Sequence, residues 1–399
     1  MLDIRLFRDH PDVVRSGLVL RGEDPQEVDA VIAMDLEHRS LLARQETLRQ
    51  EVKALSREVG TAKKSGDEAT AQTLAEQSRA IGDAERELNA EVDQAGEALR
   101  NALLLIPNLA ADDCPVGTSE QDNVEVRRWW PGLEQGFPFP TFESHQLIPH
   151  WEVGETLGIL DLERGARMSG SMFPLFRGMG SRLLRALESF ALDAHMDAYE
   201  ELRPPTFVLT ETITATGHLP KFADEAYHIG RDDLWAIPTA EVPLTSMHRG
   251  EILEERQLPL RFTASSACFR REAGSAGRDT RGVLRVHEFD KVELVAYTTP
   301  DLAKASFDDI LTRAEALLRA LGLTYRVLDL CTGDISNSVK RTLDLEVFSP
   351  GCDRWLEVSS VSWFGDYQAR RANIRFRPEG GGSPVFVHTL NGSALAWPR

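Results

Sequence analysis

Two segments of the first hundred residues share one spacing of apolar side chains, and this spacing restricts what the chain can fold into. The first set is Leu41, Leu48, Val52, Leu55 and Val59. The second set is Ile81, Leu88, Val92, Ala95 and Leu99. Both sets step by seven, four, three and four residues, which places each on one narrow stripe of an α-helix, as in a coiled-coil seam. We therefore predict two long helices that pack through these stripes.

The segment between the two stripes predicts a turn. Residues 62–67 read Ala-Lys-Lys-Ser-Gly-Asp. Matching stripes on either side of a short turn indicate one antiparallel coiled coil folded on itself, with Val59 facing the region of Leu74 and Val52 the region of Ile81. At a rise of about 1.5 Å per residue, roughly 30 residues give an arm about 45 Å long.

Such an arm has two candidate uses. The pattern alone is compatible with a dimerisation zipper. The alternative is a probe that contacts a large polyanion, because the outgoing helix and the tip are basic while the returning helix is mostly acidic. The basic residues are Arg39, Arg44, Arg49, Lys53, Arg57, Lys63 and Lys64. The whole chain has 45 basic and 63 acidic residues, a net charge of −18, which argues against general coating of nucleic acid but permits local contacts.

The composition changes after Pro107, where prolines, glycines and tryptophans appear and the heptads stop. We predict two domains, residues 1–110 and residues 111–399. In the second, a helical pattern covers 180–198, and strand-like runs follow one another without regular alternation with helices. The predicted strands are 283–286, 292–297, 343–348 and 385–390. The predicted class is α+β, with an antiparallel sheet and flanking helices rather than a doubly wound parallel sheet.

Several classes of protein are disfavoured. The apolar run 102–106 is too short to span a bilayer, and the opening MLDIRLFRDH is charged, so we expect no membrane partner, no secretory signal and a cytoplasmic location. Cys114, Cys268, Cys331 and Cys352 form no CxxC pair, so we expect free thiols and no zinc. Neither GxxxxGK[ST] nor GxGxxG occurs, so a bound nucleotide would need another kind of site.

Three segments concentrate chemically useful side chains. Residues 269–291 place several arginines around a polar loop, where guanidinium groups could bind phosphate oxygens or simply form a solvated hairpin. Residues 238–243 hold a carboxylate between two prolines, as recognition of an amino group would require, or form a surface loop. Residues 389–393, followed by the segment ending at Arg399, combine small polar groups with a terminal arginine.

Together these segments resemble the class II aminoacyl-tRNA synthetases. Residues 269–272, Phe-Arg-Arg-Glu, are similar to motif 2, residues 392–399 to motif 3, and the helix leading to Pro204-Pro205 to motif 1. The runs Thr-Ala-Glu at 239–241, HEFDK at 287–291 and Thr-Leu-Asn-Gly-Ser at 389–393, with the N-terminal hairpin, resemble the bacterial-type seryl-tRNA synthetase family over essentially the whole chain.

The resemblance implies an enzyme that activates L-serine with ATP and passes serine to tRNA(Ser), and also to tRNA(Sec). It implies that Arg270 and Arg399 are catalytic, that Glu272 reads adenine, that Arg285 meets the outer phosphates, and that Phe289 and Arg399 sandwich the adenine ring. The implied ATP-binding set is Arg270, Arg271, Glu272, Arg285, Phe289, Glu357, Val358, Ser359, Ser360 and Arg399. The implied cofactor is Mg²⁺, held with ATP by Glu357 and Ser360.

The resemblance also implies a serine pocket, a tRNA contact and a homodimer. The implied serine-binding residues are Thr239, Ala240, Glu241, Glu293 and Ser393. The arm would contact the long variable region of the tRNA, with Lys63 and Lys64 at its tip, and the dimer would form through motif 1 rather than through the arm.

Two segments depart from the family pattern, at Val361-Ser362-Trp363-Phe364 and at Ser336-Asn337. They leave open a specialised paralogue with an altered serine pocket, linked to secondary metabolism or inhibitor resistance. A non-catalytic tRNA-binding protein is disfavoured by the complete set of phosphate-binding arginines. Transfer of an amino acid to a carrier protein is disfavoured by the arm. The family usually continues beyond the motif 3 arginine, so we expect either a trimmed chain or an early end.

Overall fold

The computed structural model describes residues 1–274 and 279–397. They form two compact units, one of residues 2–19 and 23–106 and the other of residue 1, residues 20–22 and the chain from Pro107 onward. None of the described helices is long and apolar enough to cross a membrane.

The helices of the first unit are α1 (Ile4–Asp9), α2 (Pro11–Leu20), α3 (Glu27–Lys64) and α4 (Glu68–Leu105). Those of the second are α5 (His150–Thr156), α6 (Leu162–Ser169), α7 (Met179–Asp193), α8 (Thr210–Ala215), α9 (Glu241–Ser246), α10 (Ala303–Ala320) and α11 (Tyr367–Ala372). The strands are β1 (Val124–Trp129), β2 (Glu200–Glu201), β3 (Phe207–Leu209), β4 (His228–Ile229), β5 (Leu234–Ala236), β6 (Ile252–Glu254), β7 (Leu260–Phe269), β8 (Glu288–Thr298), β9 (Tyr325–Asp329), β10 (Arg341–Ser349), β11 (Arg354–Gly365), β12 (Arg375–Arg377), β13 (Val385–Phe386) and β14 (His388–Trp397).

Helices α3 and α4 form the predicted antiparallel arm. Gln45 Nε2 donates to Asn89 Oδ1 at 2.6 Å, and Arg49 Nε donates to Glu85 Oε1 at 2.8 Å. The contact partner on α4 moves four residues toward the N-terminus when the residue on α3 moves four residues toward the C-terminus, so the two helices are antiparallel. This register brings Val52 to the region of Ile81, as predicted. Each helix has 38 residues, which gives an arm of about 57 Å, longer than expected.

The seam of the arm contains a polar position that the apolar pattern skipped. Gln45 lies between Leu41 and Leu48 and is only 4% exposed. A buried polar side chain inside an apolar seam favours a single register, because a shifted helix would leave the Gln45 amide without its partner Asn89, which lies at the exposed edge of the seam. The turn is also shorter than predicted, since α3 continues to Lys64 and Asp67 already caps α4 by accepting from the Thr70 amide.

The second unit is built on one large sheet with strand order β1-β9-β10-β11-β14-β8-β7-β2. Its neighbouring strands are antiparallel except for β2 and β7, so the predicted α+β fold with an antiparallel sheet is confirmed. Helix α10 covers one face, where Ile310 and Leu317 join a core with Leu294 and Leu390. Because side chains alternate along a strand, the neighbours of Leu294 and Leu390 point to the opposite face.

The smaller elements correct part of the sequence-based prediction. Residues 292–297 and 343–348 lie within β8 and β10, as expected. The predicted strand 283–286 is wrong: Val283 and Leu284 are buried in a turn, and Val283 packs in a small apolar cluster with Val286 and Leu160 instead of pairing with a strand. The predicted helix 180–198 ends at Asp193, and residues 385–390 divide into β13 and β14 around the buried Val387.

Candidate active site

A cavity of about 500 Å³ lies in the second unit, over the face of the sheet that α10 leaves uncovered. Strands β8, β11 and β14, the connection between β7 and β8, and the start of α9 all contribute to its wall. It gathers most of the side chains predicted from the sequence. These are Thr239, Glu241, Arg270, Glu272, Arg285, Phe289, Glu293, Glu357, Val358, Ser360 and Ser393.

Three predicted residues lie outside the cavity wall. Ala240 is fully buried in an apolar cluster with Leu244. Arg271 is exposed. Ser359 is buried, and its hydroxyl donates to the Ser393 carbonyl at 2.5 Å, so it ties β11 to β14. The predicted Arg399 falls outside the described residues.

Arg270 and Arg285 lie in the connection between β7 and β8 rather than on a return strand. The Arg270 amide donates to the His287 carbonyl at 2.9 Å, which extends the antiparallel pairing by one step and fixes where the Arg270 side chain begins. Its guanidinium carbon lies 5.1 Å from the ring centroid of Phe289. Arg285 forms an ion pair with Glu272 across this connection. The arrangement presents two guanidinium groups to one cavity.

Glu225 holds the start of the same connection and was not predicted. Its two carboxylate oxygens accept from the Ala273 and Gly274 amides at 3.0 and 3.1 Å. No sequence pattern predicts this contact, because Glu225 lies about 50 residues away in a 3₁₀ turn.

Two carboxylates and one lysine are buried together at the other end of the cavity. Lys291 Nζ lies 2.8 Å from Glu293 Oε2, and both side chains are less than a tenth exposed. Glu241 is nearby, and burial together with the charge of Glu293 raises the pKa of Glu241 to about 7. Two acidic groups for one basic group give this end an excess of negative charge, which suits a ligand that brings a positive charge.

His218 is a further cavity residue that sequence reasoning missed. Its Nδ1 lies 2.8 Å from the Thr216 hydroxyl. Burial and the positive charges of Arg270 and Lys291 lower the pKa of His218 to about 3, so the imidazole is neutral at physiological pH.

Lys291 and Asn391 also line the cavity and were not predicted as site residues. Both lie in motifs quoted for the family resemblance, two positions before Glu293 and Ser393 respectively. Strand alternation alone would have placed them on the same face as those residues.

The predicted magnesium residues lie on β11, opposite β10. Asp344 pairs in register with Ser360, and Glu346 with Glu357. Burial and the charge of Glu357 raise the pKa of Asp344 well above its usual range. One of its oxygens, Oδ1, is buried with no hydrogen-bond partner within the described part of the chain.

This oxygen-rich set fits a hard divalent cation such as Mg²⁺. Among the described residues, however, no group of three or more histidine, cysteine, aspartate or glutamate side chains forms a complete metal site. Mg²⁺ bound here would therefore take much of its coordination from phosphate oxygens and water, which is its usual behaviour at nucleotide sites.

The residues that depart from the family pattern divide between the cavity and the core. Ser336, Ser362 and Phe364 line the cavity, whereas Val361 is buried in the core under α10. Trp363 lies outside the wall, with the Lys340 ammonium 5.1 Å from its ring centroid. The divergence therefore reaches the cavity at three positions.

An antiparallel sheet with arginines from one strand connection and acidic residues from neighbouring strands defines the catalytic core of a class II aminoacyl-tRNA synthetase. Residues 225–399 match the class II core domain of the tRNA synthetases for G, H, P, S and T, and residues 1–110 match the seryl-tRNA synthetase N-terminal domain.

Full-length relatives specify the family. The serine–tRNA ligase of Herpetosiphon aurantiacus is 48% identical over 401 residues, covering 100% of this chain and 92% of the relative. That of Gemmatimonas aurantiaca is 46% identical over 404 residues, with the same coverage. The crystal structure of seryl-tRNA synthetase from Pyrococcus horikoshii complexed with ATP superposes with a TM-score of 0.88 at 37% identity, covering 99% of this chain and 92% of that one. The chain belongs to the seryl-tRNA synthetase family.

The raised pKa of Glu241 predicts a stability effect in the ligand-free protein. Between about pH 4.5 and pH 7 the folded state keeps a proton that the unfolded state has released, so Glu241 lowers the free energy of unfolding as the pH rises. Glu241→Gln should therefore raise the free energy of unfolding at pH 8 by about 1–3 kcal/mol, and by much less at pH 5. Urea unfolding at both pH values measures this difference.

Glu201→Gln, on the exposed strand β2, serves as the control. Its effect on the free energy of unfolding should be the same at both pH values. Equal pH dependence in the Glu241→Gln variant and the unaltered protein would contradict the account of this carboxylate.

Proposed function

We propose that this protein is a serine–tRNA ligase that converts L-serine and ATP to seryl-adenylate and pyrophosphate, and then transfers serine to tRNA(Ser) and also to tRNA(Sec). The observation that carries the proposal is the division of one cavity into two ends. One end presents Arg270 and Arg285, which lie in the connection beyond the last β7–β8 pair, Phe269 with Glu288. The other presents Glu293, five residues further along β8, and Glu241, whose pKa is raised by the charge of Glu293. An amino acid and a nucleotide triphosphate need opposite charges from the protein, and this cavity offers both.

In the first step, a carboxylate oxygen of serine forms a bond to the α-phosphorus of ATP. The bond from that phosphorus to the bridging oxygen breaks, and pyrophosphate leaves with its electron pair. The nucleophile is already ionised, so no protein base is required and the protein contributes position and charge. Arg270 would neutralise the developing charge on the α-phosphate, and Phe289 beside it would stack on adenine.

The other ATP contacts follow from the same geometry. Arg285 would meet the outer phosphates and Glu272 the adenine amino group, so their ion pair would open when the nucleotide enters. Glu357 and Ser360 would hold Mg²⁺ through oxygen ligands. When bound, the cation would neutralise phosphate charge and so favour departure of pyrophosphate.

Serine would be recognised at the carboxylate end. Glu241 and Glu293 would attract its ammonium group, and Thr239 and Ser393 would offer polar partners to the rest of the amino acid. A pocket built to hydrogen-bond a hydroxyl group rejects alanine strongly, because alanine leaves buried polar groups unpaired.

In the second step, a hydroxyl oxygen of the terminal ribose of the tRNA attacks the serine carbonyl, and AMP leaves. We propose that residues 1–110 are the tRNA-binding domain, with Lys63 and Lys64 at the end of α3 contacting phosphates. Residues 111–399 would form the catalytic domain. No feature of the structure favours a specialised paralogue or a non-catalytic binding protein over this function.

We further propose that the protein is a cytoplasmic homodimer. Helix α7 exposes Met179 at 64% and Leu183 at 54%, and β3 exposes Phe207 and Leu209 at about half. Large apolar side chains exposed on a surface mark an association site. A second copy paired through α7 would cover Met179 and Leu183.

Replacing Arg270 tests the phosphate end of the cavity. Arg270→Ala should lower the rate of serine-dependent ATP–pyrophosphate exchange by about 10²–10³, because a preorganised positive charge at the reacting phosphate is lost. Arg256→Ala, at an exposed position of the same unit, should leave the rate unchanged. Near-normal exchange by the Arg270→Ala variant would rule out its proposed role.

Shortening the arm tests the division of labour between the two units. The register suggests where to cut: removing residues 46–88 leaves Gln45 beside Asn89, and a linker of about four glycine and serine residues spans two packed helices. Serine-dependent exchange should stay within about twofold, while aminoacylation of tRNA(Ser) should fall by at least about tenfold.

A matched point variant refines this test. Lys63→Ala with Lys64→Ala should cause a smaller loss of aminoacylation relative to the intact protein, and this loss should shrink as the salt concentration rises, since salt already weakens electrostatic phosphate contacts in the intact protein. Equal aminoacylation by the shortened and the intact proteins would refute the role of the arm in tRNA binding.

The association surface is tested at α7. Leu183→Asp places a charge in the apolar surface and should convert the sedimenting species from dimer to monomer at micromolar concentration. The arm-shortened protein should still sediment as a dimer. A monomeric shortened protein would assign the interface to the coiled coil instead.

A further inference from the structure

Four separate elements converge behind the carboxylate of Glu241. Gln368 on α11 is fully buried, and its Nε2 donates to Glu241 Oε1 at 2.7 Å. The same nitrogen donates to the Thr216 carbonyl, at the end of α8, at 3.2 Å. Thr389 on β14, also fully buried, donates its hydroxyl to Gln368 Oε1 at 2.7 Å.

These partners leave the Gln368 amide one orientation. The Thr216 carbonyl can only accept a hydrogen bond, and so can an ionised Glu241 carboxylate. Both must therefore face the amide nitrogen, which leaves Oε1 for the Thr389 hydroxyl. A flipped amide would place its oxygen against two other acceptors in a buried site, which is strongly unfavourable.

Asn391 is a second hydrogen-bond partner of the same carboxylate. It lies two residues after Thr389 on β14, hence on the same face of the strand, and its side chain hydrogen-bonds Glu241. Ser393 continues this face into the cavity wall. The amide of Gln368 thus fixes one carboxylate oxygen of Glu241, and Glu241 lines the proposed serine site.

We propose that Gln368 is the positioning residue of Glu241, and that Thr389 acts through it by fixing the orientation of its amide. Gln368 lies outside the cavity wall and does not touch substrate; it sets the direction and the ionisation of the group that would receive the serine ammonium. This inference rests on the proposed serine–tRNA ligase function. It assigns a role to Gln368, which lies in none of the sequence motifs, and to Thr389, which belongs to the 389–393 motif but had no role of its own.

The role has a consequence for serine binding as a function of pH. Besides Gln368 and Asn391, the charged groups that act on Glu241 are Glu293 and Lys291 on β8; Arg270, just after β7, and His218, after α8, line the same cavity. Glu293 raises the pKa of Glu241, whereas Lys291, Gln368 and Asn391 lower it. A protonated Glu241 cannot pair with an ammonium group, so the KM for serine should rise as the pH falls, and it should begin to rise at a higher pH when Gln368 is lost.

The experiment measures the KM for serine and the KM for ATP in pyrophosphate exchange between pH 6.5 and 9. Gln368→Met keeps the length of the side chain but cannot donate. It should raise the KM for serine about tenfold at pH 7.5, as expected for loss of a hydrogen bond to a charged group, and leave the KM for ATP within about twofold. The pH at which the KM for serine begins to rise should move upward.

A matched pair of substitutions at Thr389 tests the positioning role independently. It also provides the test if the Gln368→Met variant does not fold. Thr389→Val keeps the shape but removes the hydroxyl, and should raise the KM for serine severalfold. Thr389→Ser keeps the hydroxyl and should retain the normal KM and pH profile.

The possible failures are distinguishable. If the unaltered protein shows no serine-dependent exchange, the proposed function fails. If the unaltered protein is active but Gln368→Met or Thr389→Val has its normal KM for serine and pH profile, the positioning role is overturned. A parallel rise of both KM values would also overturn it, because that result marks a general structural defect.

Discussion

The buried group of Glu241, Glu293 and Lys291 is the interaction on which the rest of the cavity depends. Two carboxylates held against each other out of water are unfavourable, and one lysine compensates only one of them. The remaining imbalance is what a positively charged ligand group would relieve. The protein therefore keeps a locally unfavourable arrangement close to buried polar groups, Ser359 and Thr389, that are satisfied by hydrogen bonds.

The large antiparallel sheet makes this arrangement possible because one face packs against α10 and the other lines the cavity. Leu294 and Leu390 anchor β8 and β14 to α10, while Glu293 and Asn391 point to the cavity. Each functional side chain is thus one residue away from a core side chain. The arm follows another rule, since its helices pack on each other through their own seam and need no sheet to fold. We therefore expect that the proposed binding of tRNA by the arm and the activation of serine can be altered separately.

The sequence predicted the parts that rest on periodicity or on contiguous motifs. The stripes from Leu41 to Val59 and from Ile81 to Leu99 determined the arm, and the motif residues identified most of the cavity wall. Gln368, His218 and Glu225 could not be found in this way, because their contacts join segments far apart in the chain. The prediction of a strand at 283–286 was wrong because Val283 and Leu284 are buried in a turn. A short apolar run does not distinguish a buried strand from a buried turn.

The central claim is that opposite charges at the two ends of one cavity select serine and ATP together. Pyrophosphate exchange by the unaltered protein, with serine, alanine, glycine and threonine compared at equal concentration, tests it most directly. The account predicts that serine stimulates exchange at least about a hundredfold more than alanine, because alanine cannot satisfy the polar pocket. Exchange that is absent with every amino acid, or stronger with alanine than with serine, would contradict it.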